Sequence, residues 1–496
     1  MLSAYTSDEI RAAERELMAR LPEGTLMRRA ATGLAATCAG LLPRVYGGRV
    51  VVLAGGGDNG GDALYAGAAL ARRGARVHAI LAGRTAHEGG LGEMRRAGGR
   101  VVEARSGDAV LLEDLIVRAD LVMDGLAGIG GAGPLREPYA TLARLCRRAE
   151  GVVVAVDVPS GVDASTGEVA GEAVRAGVTV TFGAVKAGLL IDPGAAHVGA
   201  LTPFDIGLRP WLPEPGVVAL TGADVAARLP RPGPESDKYR RGVVGVVAGS
   251  DRFTGAAVLA VGGAVRAGAG LVRFASSAEP VARVRARWPE AVTKVLAPGE
   301  GVGEVGRVQA WVLGPGMGTD EDAHALARSV LASDVPVLVD ADGLTLVSQD
   351  RSLLRREAPT LLTPHTGELG RLLGVPSGEI EAARLRHARR AAEELGVTVL
   401  VKGSTTLVAE DGRPVRVNLT GTPWLATGGT GDVLAGIAGA FLAAGMTCYE
   451  AASCAAHVHG LAARMAAGGP GEGEAPIAAL DVALELPAAL RSLTAG

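Results

Sequence analysis

The sequence predicts two α/β domains, the first of them built on a doubly wound parallel sheet. Short apolar segments rich in β-branched residues alternate with helix-compatible stretches, and they lack the two-residue alternation of half-exposed strands. Polar, glycine-rich loops follow several of these segments, as expected at the carboxyl edge of a parallel sheet. With 496 residues the chain also exceeds the roughly 300 at which a single core stops growing, so at least two domains are required.

Composition excludes several classes of function. The chain has 50 Lys and Arg residues against 53 Asp and Glu, and its formal charge of −3 provides no positive field for nucleic acid. The first sixteen residues contain no apolar signal segment, and the longest uncharged run, 433–449, is short for a membrane span. Four cysteines without a C-x-x-C pair fit a reducing compartment. We therefore expect a cytoplasmic protein with neither nucleic-acid nor membrane partners.

The first half opens with a helix and continues as a series of strands. Thr6, followed three residues later by Glu9, gives a capping box for a helix that reaches about Arg20. Strands are predicted over 50–54, 76–82, 101–104, 121–127, 152–158 and 178–184, with a helix from about residue 62 after the first glycine loop. Helices between most of these strands indicate a sheet covered on both faces.

A proline-rich segment separates the two halves. Seven prolines between Pro203 and Pro234 interrupt the pattern of helices and central strands. The predicted domains are therefore 1–208 and 235–496, joined by a linker over 209–234.

The second half starts a new α/β series. Strands are predicted over 243–249, 271–276, 310–316, 336–342, 360–365 and 397–403, and helices over about 430–445, 447–467 and 477–493. The mixed charges of RLRHARRAAEELG (384–396) indicate a helix face exposed to solvent.

The first glycine loop, AGGGDNGGDA (54–63), matches a phosphate-binding pattern. Gly55, Gly57 and Gly60 give G-x-G-x-x-G between a strand and a helix. The next strand ends in Ala82-Gly83-Arg84 and lacks the acid of an ordinary nicotinamide dehydrogenase, which disfavours that class. The polar side chains Asp58, Asn59 and Asp62 either bind ribose hydroxyls or a cation, or only cap the loop.

Further polar residues follow later strands of the first half. Asp124, Asp157 and Ser160 are expected to meet Asn59 in one crevice, because carboxyl ends of parallel strands share one edge. Their oxygens suit an alkali or alkaline-earth cation and not zinc. Each of these residues taken alone is also a common turn former.

The first half resembles the NAD(P)H-hydrate epimerase domain over residues 5–208. The motifs DNGGD (58–62), DGLAGIGGAGP (124–134), DVPSGVDASTG (157–167) and FGAVKAG around Lys186 carry the likeness. The resemblance implies Asp157 as catalytic acid/base, assisted by Lys186, and potassium held by Asn59, Asp124 and Ser160. It also implies a hydrate site lined by Asp58, Asn59, Gly60, Gly61, Asp62, Gly128, Ile129, Gly130, Gly131, Ala132, Gly133, Pro134 and Asp157. Asp58 and Ala63 depart from the family, which usually has Asn and Gly there.

The residue types fit an epimerase. Inverting a carbinolamine carbon requires either loss and return of hydroxide or opening of the ring. Both routes need a proton donor and acceptor within hydrogen-bond reach, which a buried carboxylate with a lysine or water provides.

The most specific motif of the second half is TGGTGDVLAG (427–436). Gly428, Gly429 and Gly431 leave backbone N–H groups at a helix N-terminus open to an anion, and Asp432 lies in the first turn. Asp432 is predicted to remove a proton from a hydroxyl that attacks a phosphoryl group, the alternative being a simple helix cap. No Walker motif is present, so phosphoryl transfer here is not of the P-loop type.

Four other loops follow strands of the second half, namely GPGMG (314–318), DADG (340–343), TPHTGE (363–368) and KGSTT (402–406). Lys402 and the neighbouring hydroxyls suit nucleotide phosphates, or form a plain turn. Asp340 and Asp342 carry Mg²⁺ through water, or Asp342 caps the following helix.

The second half resembles the ribokinase-like ADP- or ATP-dependent NAD(P)H-hydrate dehydratase over about 235–493. The likeness is carried, in family order, by residues 238–272, DADGLTLV (340–347), LTPHTGELGRL (362–372), VLVKGSTTLVAE (399–410) and ATGGTGDVLAG (426–436). The resemblance implies Asp432 as the catalytic residue, with hydrate contacts at Ala257, Gly316, Gly318, His365 and Asp432. It implies nucleotide contacts at Lys402, Gly403, Ser404, Thr405, Thr406 and Gly431. Thr366 and Thr422-Pro423-Trp424 depart from the family pattern.

The combined prediction is a repair enzyme for hydrated NADH and NADPH. The first domain would interconvert the R and S hydrates, and the second would phosphorylate the C6 hydroxyl of the S form with ADP or ATP and eliminate phosphate. One alternative is a ribokinase-like kinase of a small molecule such as a vitamin precursor, and another is a nucleotide-binding regulator with an inactive first domain. We expect a homo-oligomer, and no metal at His457 and His459, which are two apart on a helix.

Overall fold

A computed structural model describes residues 1–104, 109–468 and 473–494. The chain forms two compact units, Ser3–Val217 and Val218–Gly496, the second including Met1–Leu2.

The N-terminal unit has a seven-stranded parallel sheet. Its elements are β1 Leu2–Tyr5, α1 Ser7–Met18, α2 Thr25–Leu41, β2 Arg49–Ala54, α3 Asp58–Arg72, β3 Arg76–Leu81, α4 Glu88–Arg96, β4 Arg100–Glu103, α5 Ala109–Val117, β5 Leu121–Gly125, α6 Tyr139–Cys146, β6 Val152–Val156, β7 Val178–Phe182, β8 Val185–Lys186 and β9 Ala200–Phe204. The strand order is β4-β3-β2-β5-β6-β7-β9, and the strands pair in parallel. The order reverses between β2 and β5, which is where a doubly wound sheet opens a ligand crevice.

Both faces of this sheet are covered by helices, as predicted. Val50 and Val52 of β2 pack in a cluster with α1 to α4, whereas the intervening Val51 and Leu53 pack in a cluster with α5 and α6. Because alternate residues enter two different apolar clusters, both sets must be apolar. This arrangement explains why the strands show no two-residue alternation.

The C-terminal unit is also a layered α/β structure. From the unit boundary onward the elements are β10 Val217–Ala219, α7 Gly222–Ala226, β11 Val243–Val247, α8 Thr254–Arg266, β12 Leu271–Ser276, α9 Ala278–Arg287, β13 Val292–Val295, β14 Ala310–Leu313, α10 Glu321–Leu331, β15 Val337–Val339, α11 Asp342–Gln349, β16 Thr360–Leu362, α12 Thr366–Leu373, α13 Ser377–Ala382, α14 Arg384–Leu395, β17 Thr398–Val401, β18 Thr406–Ala409, β19 Val415–Asn418, α15 Thr430–Ala443, α16 Cys448–Ala467 and α17 Ala479–Thr494. Nine strands lie in the order β13-β12-β11-β14-β15-β16-β17-β18-β19. The pairs from β13 to β17 are parallel, and β18 and β19 extend the sheet antiparallel.

Glycines bring α8 and α15 unusually close. A β-carbon at Gly436 would lie 2.1 Å from the Ala260 carbonyl oxygen, and one at Gly263 would lie 2.3 Å from that of Val433. No side chain fits at either position. The glycine- and alanine-rich helices thus pack against each other within the unit, which fixes the N-terminus of α15.

Several local features differ from the sequence predictions, among them helix α2 and strands β9 and β13, which were not predicted. Helix α3 begins at Asp58 and not near residue 62, so the polar DNGGD residues form its first turn. Part of the predicted linker is structured, because 216–229 contains no proline and accommodates β10 and α7, with a capping box at Thr221 and Asp224. The antiparallel strands β18 and β19 were not predicted. No helix in the described ranges has the length and apolarity to span a membrane.

Two candidate active sites

A buried ion pair lies at the carboxyl edge of the N-terminal sheet. Lys186, in β8, donates to Asp157 Oδ1 at 2.5 Å, and Asp157 directly follows β6. The lysine is 1% exposed, so loss of either charge would leave the other buried without its partner. The ammonium also donates to the Phe182 carbonyl at 2.8 Å and to Thr181 Oγ1 at 3.2 Å. All three of its hydrogens therefore have protein acceptors.

The protein holds the Asp157 carboxylate through one of its two oxygens. The Phe182 N–H at 2.9 Å and the Thr181 hydroxyl at 3.2 Å donate to the same Oδ1 as Lys186. Among the residues that the structure describes, none donates to Oδ2. Asp157 has φ 67°, a left-handed conformation that costs a non-glycine residue about 1–3 kcal/mol. The fold thus holds this side chain in a strained position and leaves one oxygen for a ligand.

Further carboxyl groups surround this pair. Burial raises the pKa of Asp62 well above its ordinary value, and the charges of Asp157, Asp58 and Glu14 raise it further. Asp62 Oδ1 is buried and has no hydrogen-bond partner in the described ranges. Burial also raises the pKa of Glu14 in α1, with Lys186 acting in the opposite direction. The site therefore places protonatable carboxyls near a fixed ammonium, an arrangement suited to proton transfer.

Asp124 and Ser160 meet as predicted. Asp124 is fully buried, and its carboxylate accepts the Ser160 hydroxyl at 2.6 Å and the Ser160 N–H at 2.8 Å. Burial raises the pKa of Asp124 to about 6 even though these hydrogen bonds lower it. The Asn59 side-chain amide is also buried, and its Nδ2 has no partner among the described residues. The Asp124 carboxylate, the Ser160 hydroxyl and the Asn59 amide can supply oxygen ligands, and hard oxygen ligands suit a monovalent cation.

The loop after β5 separates this centre from a cavity of about 560 Å³. A β-carbon at Gly128 would lie 3.0–3.1 Å from Asn59 side-chain atoms, so the loop packs against the start of α3. Arg11 of α1 donates to the Ile129 carbonyl at 3.2 Å. Of the predicted hydrate residues, those lining the cavity are Gly128, Gly131, Ala132, Gly133 and Pro134, whereas residues 58–62 and Asp157 do not line it.

In the C-terminal unit, Lys402 is held between two buried carboxylates. Its Nζ lies 2.7 Å from Asp340 Oδ1 and 3.7 Å from Glu368 Oε2, and Asp340 is 1% exposed. Burial lowers the pKa of Lys402, but Asp340 and Glu368 together raise it more, so the lysine stays protonated. This ammonium is available to nucleotide phosphates at the end of β17.

Asp432 lies in the first turn of α15 near this cluster. Burial, followed by the charge of Asp340, raises its pKa to about 7 even though Lys402 acts to lower it. Within the described ranges its carboxylate makes no hydrogen bond or ion pair. The neighbouring Gly431 faces the lysine, since a β-carbon there would lie 3.4 Å from Lys402 Nζ. A carboxyl group with a pKa near neutrality and no protein partner is suited to act as a base.

His365 caps α12. Its ring Nδ1 accepts from the backbone N–H groups of Gly367 at 3.0 Å and Glu368 at 3.3 Å, and the backbone N–H of His365 donates to Glu368 Oε2 at 2.8 Å. The His365 side chain is 54% exposed, and its Nε2 lies 3.5 Å from Glu368 Oε1. The capping box thus ties His365 to the Glu368 carboxylate that faces Lys402.

The loops GPGMG and DADG pack together beside this cluster. The Gly318 N–H donates to Asp342 Oδ2 at 2.9 Å, and Ala341, between the two aspartates, has φ 49°. Together with Asp157, Ala341 is one of two non-glycine residues with positive φ in the described chain, and both lie at the predicted sites. The structure does not bring Ala257 to the site surface, because its side chain is fully buried against Gly249.

Arg384 supports the KGSTT loop, which corrects at this residue the prediction of a solvent-exposed face over 384–396. The charged residues Arg386, Glu393 and Glu394 of the same helix are exposed, as predicted. Arg384 is 6% exposed, and its Nη2 donates to the carbonyls of Lys402 at 3.1 Å and Thr405 at 3.3 Å. These bonds turn the loop carbonyls away from solvent. Gly403 and Ser404 are exposed, whereas Thr405 and Thr406 are buried.

The two histidines of α16 are both buried. Burial lowers the pKa of His459 to about 4, so it is neutral at physiological pH. No group of three or more metal-ligating His, Cys, Asp or Glu side chains occurs in residues 1–104, 109–468 and 473–494. The four cysteines are free and buried.

The sequence predicted the glycine loops and their acids but missed three charged residues of these sites. Glu14 and Arg384 lie inside helices, where charged residues usually face solvent. Glu368 belongs to a predicted loop, and its position three residues after His365 is the capping-box signal that could have identified it.

Two family profiles match the chain. Residues 244–482 match a family described as NAD(P)H-hydrate dehydratase, and residues 23–188 match the YjeF-related protein N-terminus.

Full-length relatives combine both regions. The bifunctional NAD(P)H-hydrate repair enzyme Nnr of Mycobacterium leprae is 45% identical over 99% of each chain. The enzyme of the same name from Mycobacterium tuberculosis (strain CDC 1551 / Oshkosh) is 46% identical over 90% of this chain and 91% of its own. A solved ADP/ATP-dependent NAD(P)H-hydrate dehydratase from Bacillus subtilis, co-crystallised with ATP and Mg²⁺, is 30% identical, with a TM-score of 0.51 over 55% of this chain and 98% of its own.

Proposed function

The chain belongs to the family of bifunctional NAD(P)H-hydrate repair enzymes, and from this premise we propose which of its residues carry out the two reactions. It is an NAD(P)H-hydrate epimerase joined to an ADP/ATP-dependent NAD(P)H-hydrate dehydratase with a ribokinase-like fold. Its substrates are small molecules, the hydrated cofactors and a nucleotide. The family relationship does not favour a kinase that releases a stable phosphate ester, nor an inactive regulator.

For the epimerase we assign proton transfer to Asp157. Its free Oδ2 is the group that would exchange a proton with the carbinolamine, by either ring opening or loss and return of hydroxide. Lys186 has its three hydrogens bound to protein acceptors, so we assign it the positioning of Asp157 and stabilisation of the carboxylate. Residues 58–62 and 128–134 would bind the rest of the hydrate.

Potassium fits the pocket formed by Asp124, Ser160 and Asn59. No lysine or arginine in the described ranges forms an ion pair with the fully buried Asp124 carboxylate, and a 180° rotation of the Asn59 amide would present Oδ1 in place of the unpartnered Nδ2. A bound K⁺ would supply a fixed positive charge between the start of α3 and the loop after β5. The residues themselves contribute the oxygens that would hold it.

For the dehydratase we assign the catalytic base to Asp432. The observation that carries this assignment is a carboxyl with a pKa near 7 in the first turn of α15, beside the glycine loop. Asp432 would take the proton of the C6 hydroxyl while the oxygen of that hydroxyl attacks the terminal phosphoryl group of the nucleotide. The C6–O bond then breaks, so that phosphate leaves in place of hydroxide, a poorer leaving group. Loss of a proton from C5 restores the C5=C6 double bond of the dihydronicotinamide. Backbone N–H groups after Gly429 would stabilise the charge on phosphate.

We place the nucleotide phosphates against Lys402, the exposed Gly403-Ser404 turn and Gly431, with His365, Gly316 and Gly318 facing the hydrate. Mg²⁺ fits beside Asp340 and Asp342 as an ion that keeps several waters and binds mainly to phosphate, since one or two carboxylates suffice for such a site. It would neutralise phosphate charge. The choice between ADP and ATP stays open.

Cytoplasmic location and a homo-oligomeric state stay predictions. Free, buried cysteines support the first. Light scattering of the purified protein tests the second.

The dehydratase assignment is tested with the S form of hydrated NADH (S-NADHX), Mg²⁺ and either ADP or ATP. The assay follows the return of reduced-nicotinamide absorbance. We expect Asp432→Ala to lose about 10²-fold or more in kcat, because the base is removed. Asp411→Ala, an exposed residue of the β18–β19 turn, is the control. Full activity in the Asp432 variant would contradict the assignment, and no recovery by the folded wild type with either nucleotide would contradict the function.

A further inference from the structure

The cavity beside the loop after β5 contains two arginines that the epimerase assignment does not use. Arg84 follows the end of β3, and Arg136 follows the glycine loop at the other side of β2. Both side chains line the cavity and are exposed. In the described part of the chain neither makes an ion pair or a side-chain hydrogen bond. Two guanidinium groups that converge on a concave surface without a carboxylate partner suit an anionic ligand.

The position of Arg84 indicates which anion. In a doubly wound sheet that binds a dinucleotide, the residue at the end of the second strand contacts the adenosine ribose. An acid at that point accepts the 2′-hydroxyl, whereas an arginine accommodates a 2′-phosphate. Here β2 is the first strand, β3 is the second, and β3 is followed by Ala82-Gly83-Arg84. The Gly83 backbone packs against the glycine loop, since a β-carbon there would lie 3.1 Å from the Gly56 nitrogen.

Acidic residues of the cavity lie toward its opposite side. Asp163 and Glu168 belong to the loop after β6, which is three strands from β3, a separation of about 14 Å at the usual strand spacing. Asp163 already accepts the N–H groups of Ser165 and Thr166, both at 2.9 Å. Glu137 is paired with Arg144 at 2.9 Å. The electrostatic potential in the part of the cavity near β3 is therefore dominated by the positive charges of the two arginines.

We propose that Arg84 and Arg136 form a subsite for the 2′-phosphate of hydrated NADPH, so that the epimerase distinguishes it from hydrated NADH. This inference rests on the proposed epimerase function. The cavity volume of about 560 Å³ is within the range of about 300–1,000 Å³ usual for small-molecule sites. Gly128 lines the cavity, and a β-carbon there would lie 3.0 Å from Asn59 Cγ, so the cavity borders the first turn of α3.

The test compares kcat/KM for epimerisation of the R forms of hydrated NADPH (R-NADPHX) and hydrated NADH (R-NADHX) by the full-length protein. Nucleotide is left out, so that the dehydratase does not consume the product. For Arg84→Gln and Arg136→Gln we expect kcat/KM on NADPHX to fall about tenfold or more through KM, with less than a twofold change on NADHX. Arg73→Gln, an exposed arginine outside the cavity, should leave both values unchanged. Equal loss on both substrates, or no loss on either, would overturn the proposal.

A binding measurement separates failure of the proposal from failure of the epimerase function. If the wild type epimerises neither hydrate, the function has failed, and titration with adenosine 2′,5′-bisphosphate and with AMP still tests the subsite. Weaker binding of the bisphosphate alone in Arg84→Gln supports it. Unchanged binding of the bisphosphate overturns it.

Discussion

Two carboxylates are central to this enzyme, and the protein holds them in opposite ways. Asp157 is fixed by three donors on one oxygen, one of them the buried ammonium of Lys186. Asp432 has no protein partner in the described ranges, and its surroundings are acidic, with Asp340 and Asp342 both raising its pKa. A fixed carboxylate suits proton exchange at one stereocentre. A carboxyl group with a pKa near 7 suits a general base, because a large fraction of it is ionised at physiological pH and the ionised form accepts a proton readily.

The acidic surroundings of Asp432 lead to a prediction about pH. Because Asp432 must be ionised to act as a base, dehydratase kcat/KM should rise with pH through about 7. Asp340→Asn removes the charge that contributes most to raising this pKa after burial, so the rise should move to lower pH. The pH profile of kcat/KM measures the shift, with the exposed Asp411→Asn as control. A profile that stays in place or moves to higher pH would contradict the electrostatic account.

At this scale the sequence identified the loop residues better than the helix residues. Asp124, Asp157, Ser160 and Asp432 were predictable because each follows a strand or a glycine loop, and such positions converge at one edge of a parallel sheet. Glu14 is turned inward by the packing of α1, which depends on partners far away in sequence. The hydrate contact at Ala257 stays a prediction, and the structure shows its side chain fully buried beside Gly249.

Among the secondary-structure elements, α14 has an unexpected role. Its polar composition predicted a solvent-exposed face, yet Arg384 at its first position is buried against the KGSTT loop. Strands rich in β-branched residues and helices with capping residues were predicted, because the residues that specify each of these elements lie within it or next to it in the sequence. The antiparallel β18 and β19 were missed because they are four residues long each and follow a loop assigned to phosphate binding.

The role of α14 can be tested through nucleotide affinity. Arg384→Met removes the donors that orient the KGSTT carbonyls, so KM for the nucleotide should rise about tenfold or more, with a smaller change in KM for the hydrate. Arg384→Lys should not restore it, since a single ammonium does not reproduce the planar fork of donors. Arg386→Met, exposed on the same helix, is the control. Equal increases in both KM values at unchanged thermal stability would contradict a specific role in nucleotide binding.

At the scale of the whole molecule, the buried Asp124 connects cation binding to stability. Its folded pKa of about 6 exceeds the ordinary value of 3.8, so the cost of burying its charge is relieved as pH falls toward 4 and is fully present above about pH 6. A bound cation should offset this cost.

We therefore expect K⁺ to raise the thermal unfolding midpoint relative to choline, and by more at pH 8 than at pH 5. Scanning calorimetry in the two salts at equal ionic strength measures the difference. Asp124→Asn should abolish the dependence on K⁺ whatever its own stability. A K⁺ effect of equal size in this variant, or one that does not grow with pH, would place the cation elsewhere.

The two-domain prediction follows from length and from the proline-rich segment, while the division between compact units falls at Val217 and Val218. The prolines marked the region but not the structured 216–229 segment, which contains β10 and α7. Each unit has its own candidate centre, so the two reactions should be separable by mutation.

The most direct test of this central claim starts from R-NADHX with Mg²⁺ and a nucleotide and follows NADH formation. The wild type should form NADH from the R hydrate. Asp157→Asn should do so only at the uncatalysed rate of epimerisation while retaining activity on S-NADHX, and Asp432→Asn should form none. An equimolar mixture of the two variants should restore NADH formation from the R hydrate. NADH formation by Asp432→Asn alone, or a mixture no better than Asp157→Asn, would contradict the assignment of one reaction to each unit.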